Sequence, residues 1–198
     1  DVAAVQAGVA PRAAAREALG LPQEAPVIGN VGRLHPDKDQ ATLIKGFAAA
    51  LPRLPAGTLL AIAGSGPLEA VLKAQAASLG IADRVRFLGQ VPDVRRFFSA
   101  FDLFVLSSDH EPFGMVLLEA MVAGVPVMAT DCGGAPEVVA DPARLFPLRD
   151  ATALAQDVSK AEMPSGSLAW WPAIPAVLAL IPLALLYRRS TALRRDVE

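Results

Sequence analysis

Glu111 and Glu119 bracket the run E-P-F-G-M-V-L-L-E, about two helical turns apart. Pro112 suits the turn into a helix, and Gly114 lets a bound anion come close to the backbone. The residues from Met115 to Val122 are apolar on all sides, the pattern of a buried helix. A carboxylate within such a run must find hydrogen-bond donors or stay protonated. Both acids can therefore address one ligand entering at the helix N-terminus. The spacing alone equally describes a capping Glu followed by a core helix with one satisfied acid. Arg33 and Lys38 add the opposite charge around a turn fixed by Pro36. A guanidinium fork beside an ammonium point charge suits a diphosphate. Gly64-Ser65-Gly66 and Gly133-Gly134 are places where backbone N–H groups can face phosphate or sugar oxygens.

Other chemistry is set aside. The G-x-G lacks the third glycine of a dinucleotide fingerprint, which argues against nicotinamide or flavin. Asp37-Lys38-Asp39 has the outline of an Asp-x-Asp metal motif, but the central Lys and nearby Arg33 would compete with a divalent ion, so no metal is expected. His35 and His110 fall in turns and are expected to be solvated bystanders. Cys132 has no His beside it in sequence to make it a nucleophile.

The elements that would position these residues follow from short β-branched or apolar runs alternating with helical patterns. Strands are expected at Val27–Val31, Thr58–Ala63, Val85–Leu88, Leu103–Leu106, Pro126–Ala129 and Arg144–Phe146, and helices near 39–51, 67–79, 93–100, 114–123, 135–140 and 151–158. A short surface helix is expected within 1–24. Strict alternation implies right-handed crossovers and a parallel sheet covered on both faces: a doubly wound, Rossmann-like α/β domain. Ligands of such sheets bind beyond the carboxyl ends of the strands. There the sequence places Gly32, Arg33 and Lys38; then Gly64 and Gly66; Gln90 and Val91; Ser107 to Glu111; and Gly133-Gly134. Together these turns describe a polar ligand with an anionic part.

The combination resembles the C-terminal, nucleotide-sugar-binding half of a GT-B glycosyltransferase of the retaining family 4, the glycosyl transferases group 1. The matching motifs are G-R-L-H-P-D-K at Gly32–Lys38, L-I-K-G-F at Leu43–Phe47, A-G-S-G-P-L at Ala63–Leu68 and V-R-F-L-G at Val85–Gly89. S-S-D-H-E-P-F-G at Ser107–Gly114, L-L-E-A-M-V-A-G-V-P-V at Leu117–Val127 and T-D-C-G-G-A-P-E-V-V at Thr130–Val139 complete the match. The resemblance implies that Arg33 and Lys38 hold the donor diphosphate and that Glu111, with the backbone of Phe113 and Gly114, addresses the donor hexose. It implies that Glu119 accepts from the ribose hydroxyls, that Gly32, Gly64 and Gly66 lie against the nucleotide, and that the backbone near Gln90 and Val91 reads the base edge. Gly133 and Gly134 fall beside the sugar. The implied reaction is retaining, metal-independent hexosyl transfer from a nucleotide-diphosphate sugar, UDP-linked by preference, to a glycan or lipid acceptor, with no cofactor. Cell-envelope glycan assembly is the expected setting.

The 198 residues suffice for one domain with an appendage, and a net charge of −2 gives no case for nucleic acid. A single cysteine excludes an internal disulfide. The organisation expected is a connection over 1–24, the nucleotide-sugar-binding domain over 25–158, a linker over 159–167, a membrane span over 168–187 and a basic tail over 188–198. The span is uncharged from Leu168 to Tyr187, with Trp170, Trp171 and Tyr187 at its interfaces and arginines following. It accounts for a mean hydropathy of +0.40. No signal peptide is visible near Asp1, and the chain opens where the family's interdomain connection would lie. The acceptor-binding N-terminal half is thus expected to be missing or separate. A membrane-associated enzyme with its transferase domain in the cytoplasm follows, although the arginines after the span conflict with that side for a single crossing. Two rivals are an inactive, membrane-tethered remnant that binds nucleotide or a partner chain, and a GT-B nucleotide-sugar epimerase, which would need further acids and His in the cleft.

Overall fold

The computed structural model describes residues 6–161. Six parallel strands form one sheet: β1 Val27–Val31, β2 Leu59–Ala63, β3 Val85–Gly89, β4 Leu103–Leu106, β5 Val127–Thr130 and β6 Leu145–Phe146. Their spatial order is β3-β2-β1-β4-β5-β6. The helices are α1 Arg12–Ala18, α2 Gln40–Ala50, α3 Glu69–Ser78, α4 Met115–Val122, α5 Ala135–Val139 and α6 Ala151–Lys160.

Strands β2 and β4 read as continuous apolar runs because both of their faces are covered. Strand β1 also buries Asn30, whose Nδ2 donates to the Val105 carbonyl at 2.8 Å. One face packs Phe98, Phe101, Phe104, Leu117, Leu118 and Met121. The other packs Ile28, Ile44, Phe47, Ile62, Val105 and Leu154. Phe98 and Phe104 meet edge to face at 5.3 Å between centroids. The winding reverses between β1 and β4, which opens a crevice at their carboxyl ends. The loops carrying Lys38 and Glu111 flank that crevice.

Several expectations shift. Residues 93–100 form a 3-10 helix, Val94–Ala100, rather than an α-helix, entered through Asp93 at φ +46. The second strand starts at Leu59 because Thr58 is held in the preceding turn, its Oγ1 donating to the Pro55 carbonyl at 2.6 Å. Pro126 lies before β5, and the sixth strand begins only at Leu145, since Arg144 ends a 3-10 turn. Helix α4 is not buried all round. Leu117, Leu118, Ala120 and Met121 are inside, whereas Met115, Val116 and Glu119 are half-buried along the crevice.

Helix α1 is not a loose surface helix either. Arg16 is fully buried and donates to the carbonyls of Ala100 at 3.0 Å, Pro22 at 2.8 Å, Gln23 at 2.6 Å and Ala25 at 2.8 Å. It also pairs with Asp102 at 2.7 Å, and Arg12 reaches the other oxygen of that carboxylate at 2.6 Å. The stretch expected to span a membrane, 168–187, lies outside the described residues. Among the described residues no helix is long and apolar enough to cross a membrane.

Candidate functional site

The chain leaving β1 makes one 3-10 turn, Pro36–Lys38, and then Asp39 at φ +42 caps α2 by accepting from the Thr42 amide. This turn points Lys38 across the crevice. Its Nζ lies 3.0 Å from Glu111 Oε2, with the two side chains 20% and 14% exposed. Glu111 Oε1 accepts from the Gly114 amide at 3.2 Å, so the same carboxylate closes the start of α4. The two loops are stitched further. Ser107 Oγ donates to the Lys38 carbonyl at 2.9 Å, and the Asp109 amide donates to the Asp37 carbonyl at 3.0 Å. An ammonium and a carboxylate, each largely shielded from water, therefore meet at the switch point. An incoming dianion can take Lys38 and leave Glu111 to accept from a hydroxyl donor.

The glycines lie where two backbones approach closely. A Cβ on Gly64 would overlap the Gly32 carbonyl, and one on Gly66 would overlap that of Leu34. A Cβ on Gly133 would overlap the Glu111 carbonyl, and one on Gly134 would come within 2.8 Å of the Pro112 carbonyl oxygen. The amide of Gly64 donates to Gly89 at 2.7 Å and that of Gly134 to Glu111 at 2.9 Å. These two N–H groups brace neighbouring loops instead of facing an open anion site. Their smallness lets the β1 and β2 turns, and the β4 and β5 turns, nest together. Gly133→Ala is thus expected to destabilise the chain by about 1–3 kcal/mol, through left-handed backbone strain at φ +54 and displacement of Glu111. Denaturant unfolding measures it, and an unchanged midpoint would mean that the Glu111 turn is not held by this contact.

The remaining candidates spread along one rim. Gly32 donates its amide to the Ala63 carbonyl at 3.0 Å and lies under the Lys38 stem. Arg33 does not converge on Lys38 and Glu111: its side chain is 72% exposed and 3.6 Å from Asp37. Asp37 also binds His35, which is half-exposed; His110 is exposed. Burial pushes the Asp37 carboxyl up, but the His35 hydrogen bond and the charges of Lys38, His35 and Arg33 outweigh it and hold the group below its ordinary range. Glu119 sits one turn into α4, half-buried, and Phe113 is half-buried against the apolar core beside Gly134. Gln90 and Val91 lie at the far edge, lining a cavity of about 670 Å³ with Leu19, Leu88 and Phe97. Along the rim the order is Gln90, Gly64, Lys38, Glu111, Gly133, because β3, β2, β1, β4 and β5 lie in that order. At about 4.8 Å per strand this row is roughly 19 Å long.

Residues to which the sequence assigned no site role hold the row in place. Thr130 Oγ1 and Cys132 Sγ both donate to the Ser108 carbonyl, the latter at 3.1 Å, tying β5 to the β4 loop. Arg149 reaches Asp109 at 2.7 Å. Their partners are 22, 24 and 40 residues away, and no local pattern announces such pairs.

Residues 11–164 match the family model of the glycosyl transferases group 1. The chain is 42% identical over 119 residues to the lipopolysaccharide core biosynthesis glycosyltransferase LpsE of Rhizobium meliloti, covering 60% of this chain and 34% of that protein. It is 39% identical over 138 residues to D-inositol 3-phosphate glycosyltransferase of Nocardia farcinica, covering 66% and 31%. The chain thus spans about a third of these relatives' length. Among solved structures it resembles Anabaena Alr3699/HepE in complex with UDP and glucose, with a TM-score of 0.64, 32% identity, and 73% of this chain and 40% of that one covered. It also resembles WaaG, a glycosyltransferase involved in lipopolysaccharide biosynthesis, with a TM-score of 0.66, 28% identity, and 75% and 41% covered. A parallel sheet wound in two directions, an acid and a base meeting at its switch point, and a match along three-quarters of the sequence lead to one conclusion: this chain belongs to the glycosyl transferases group 1 family.

Proposed function

We propose that this chain is the donor-binding lobe of a retaining, metal-independent hexosyltransferase that uses a nucleotide-diphosphate sugar. The observation that carries the proposal is the shielded Lys38–Glu111 pair at the switch point, with the other candidate residues in line on either side of it. In this proposal the base lies toward Gln90 and Val91 and the diphosphate meets Lys38, with Arg33 swinging in from solvent. The hexose lies between Glu111 and Gly133, and Glu119 accepts from the ribose. The rim's length is comparable to an extended nucleotide sugar. Lys38 and Arg33 would neutralise the charge that develops on the leaving diphosphate, the role otherwise filled by a metal. UDP is the preferred nucleotide, since Alr3699/HepE was captured with UDP and glucose.

The acceptor is proposed to be a glycan or lipid-linked sugar of the cell envelope, held by a second lobe. LpsE and WaaG, both of lipopolysaccharide assembly, support that setting. The uncharged stretch 168–187 supports attachment to the membrane surface, with the rim exposed to cytoplasmic nucleotide sugars. The test is calorimetric titration of the chain with UDP, UDP-glucose and GDP-mannose, each with magnesium and with a chelator. Binding of UDP and its sugar that ignores the chelator is expected. Binding that vanishes with the chelator would refute metal independence, and no binding of any nucleotide at millimolar concentration would refute the donor-lobe assignment.

A further inference from the structure

Arg149 occupies the left-handed region at φ +58, a conformation that costs an ordinary side chain and is usually given to Gly or Asn. Its own turn has no need of a long cation. The neighbouring Asp150 already caps α6 through the amides of Thr152 and Ala153. The Arg149 guanidinium instead leaves its turn and binds Asp109 at 2.7 Å, 40 residues away. The two loops so joined leave β6 and β4, the strands that flank β5. Asp109 is itself fixed, since its amide donates to the Asp37 carbonyl beside Lys38. Two residues further on is Glu111. A strained residue at a sheet's ligand-binding edge persists only where its surroundings hold it, and such strain concentrates at working sites.

We propose that Arg149 is a positioning residue: it clamps the loop after β4 from the outer side, while the Asp37 carbonyl holds it from the inner side, so that Glu111 stays opposite Lys38. The clamp itself stands independently of the proposed function, whereas its consequence for nucleotide affinity rests on that reading. Arg149 does not touch the Lys38–Glu111 pair and acts through Asp109.

The test is Arg149→Gly in the full chain, with Asp109→Asn as a second variant. Glycine relieves the backbone at this φ, so the thermal midpoint is expected to hold or rise. Amide hydrogen exchange of Asp109 and Gly114 is expected to quicken by about threefold to fivefold, the range an exposed ion pair supplies, while exchange in β1 and β2 stays unchanged. Raising salt should move the parent chain toward the variant. UDP affinity is expected to weaken by a similar factor. Unchanged exchange at Asp109 and Gly114 would overturn the clamp. Weaker UDP binding with unchanged exchange would also overturn it, because Arg149 would then contact nucleotide directly. If the parent chain binds no UDP, the exchange measurement still decides the matter, and only the function proposed above fails.

Discussion

Lys38→Met is expected to weaken UDP binding by about 2–3 kcal/mol, roughly 30- to 150-fold. That is the lower part of the range for truncating one member of a hydrogen-bonded, desolvated charge pair. The lower part applies because both side chains keep some exposure, 20% and 14%. The partner variant separates mechanism from simple damage. Glu111→Gln keeps the shape and the acceptor oxygen for the Gly114 amide but removes the charge that competes for Lys38. UDP, which carries no hexose, should therefore bind Glu111→Gln as well as the parent or better. UDP-glucose should lose affinity relative to UDP, since the carboxylate that accepts from sugar hydroxyls has gone. Opposite signs for the two halves of one ion pair are not what a folding defect produces. Calorimetry with UDP and UDP-glucose on both variants reads the difference. If the two substitutions weaken UDP equally, Lys38 and Glu111 support the loops and do not divide the ligand between them.

The alternation of apolar runs with helical patterns was enough to place every strand within one or two residues. A buried parallel strand such as Leu59–Ala63 is apolar at each position and bounded by turn residues. The ligand-binding edge followed from the same alternation, because the turns after the strands carry Arg33, Lys38, Glu111 and the paired glycines. What could not be read were the partners. Gly64 and Gly133 are recognisable as special, yet their reason is a carbonyl of another turn, reached only after folding. The spacing of Glu111 and Glu119 suggested two acids addressing one ligand, or equally a capping Glu ahead of a core helix with one satisfied acid. In the fold Glu111 closes a helix and meets Lys38, while Glu119 lies one turn deeper on α4. Arg33 shares a short loop with Lys38, but the 3-10 turn sends the two side chains to different surroundings. Between β3 and β4 the chain winds as a 3-10 helix, Val94–Ala100, and buries Phe98 in the apolar core.

The largest expected loss of stability belongs to a residue with no part in the ligand site. Arg16→Met should destabilise the chain by about 3–5 kcal/mol, a large share of the roughly 5–15 kcal/mol that holds a domain together. The side chain is fully buried and supplies donors to four main-chain carbonyls as well as to Asp102. Methionine fills much of the space but leaves those carbonyls without their donor and weakens the compensation of a carboxylate that is 3% exposed. Asp102 would keep Arg12 and the Val27 amide, the latter at 2.7 Å, so the charge would not be wholly orphaned. Asp102→Asn preserves an acceptor for Val27 and should cost less. The double variant should then lose less than the sum of the two single losses, because each removes the same contact. Denaturant unfolding of the four chains closes this cycle. The consequence reaches the rim as well: Ala18 and Leu19, at the end of the helix that Arg16 anchors, line the cavity beside Gln90 and Val91. A loosened α1 should therefore open that cavity and weaken nucleotide binding before the sheet itself unfolds. A loss below about 1 kcal/mol for Arg16→Met, the value of a solvent-screened pair, would mean that water reaches these carbonyls and that α1 is only loosely docked.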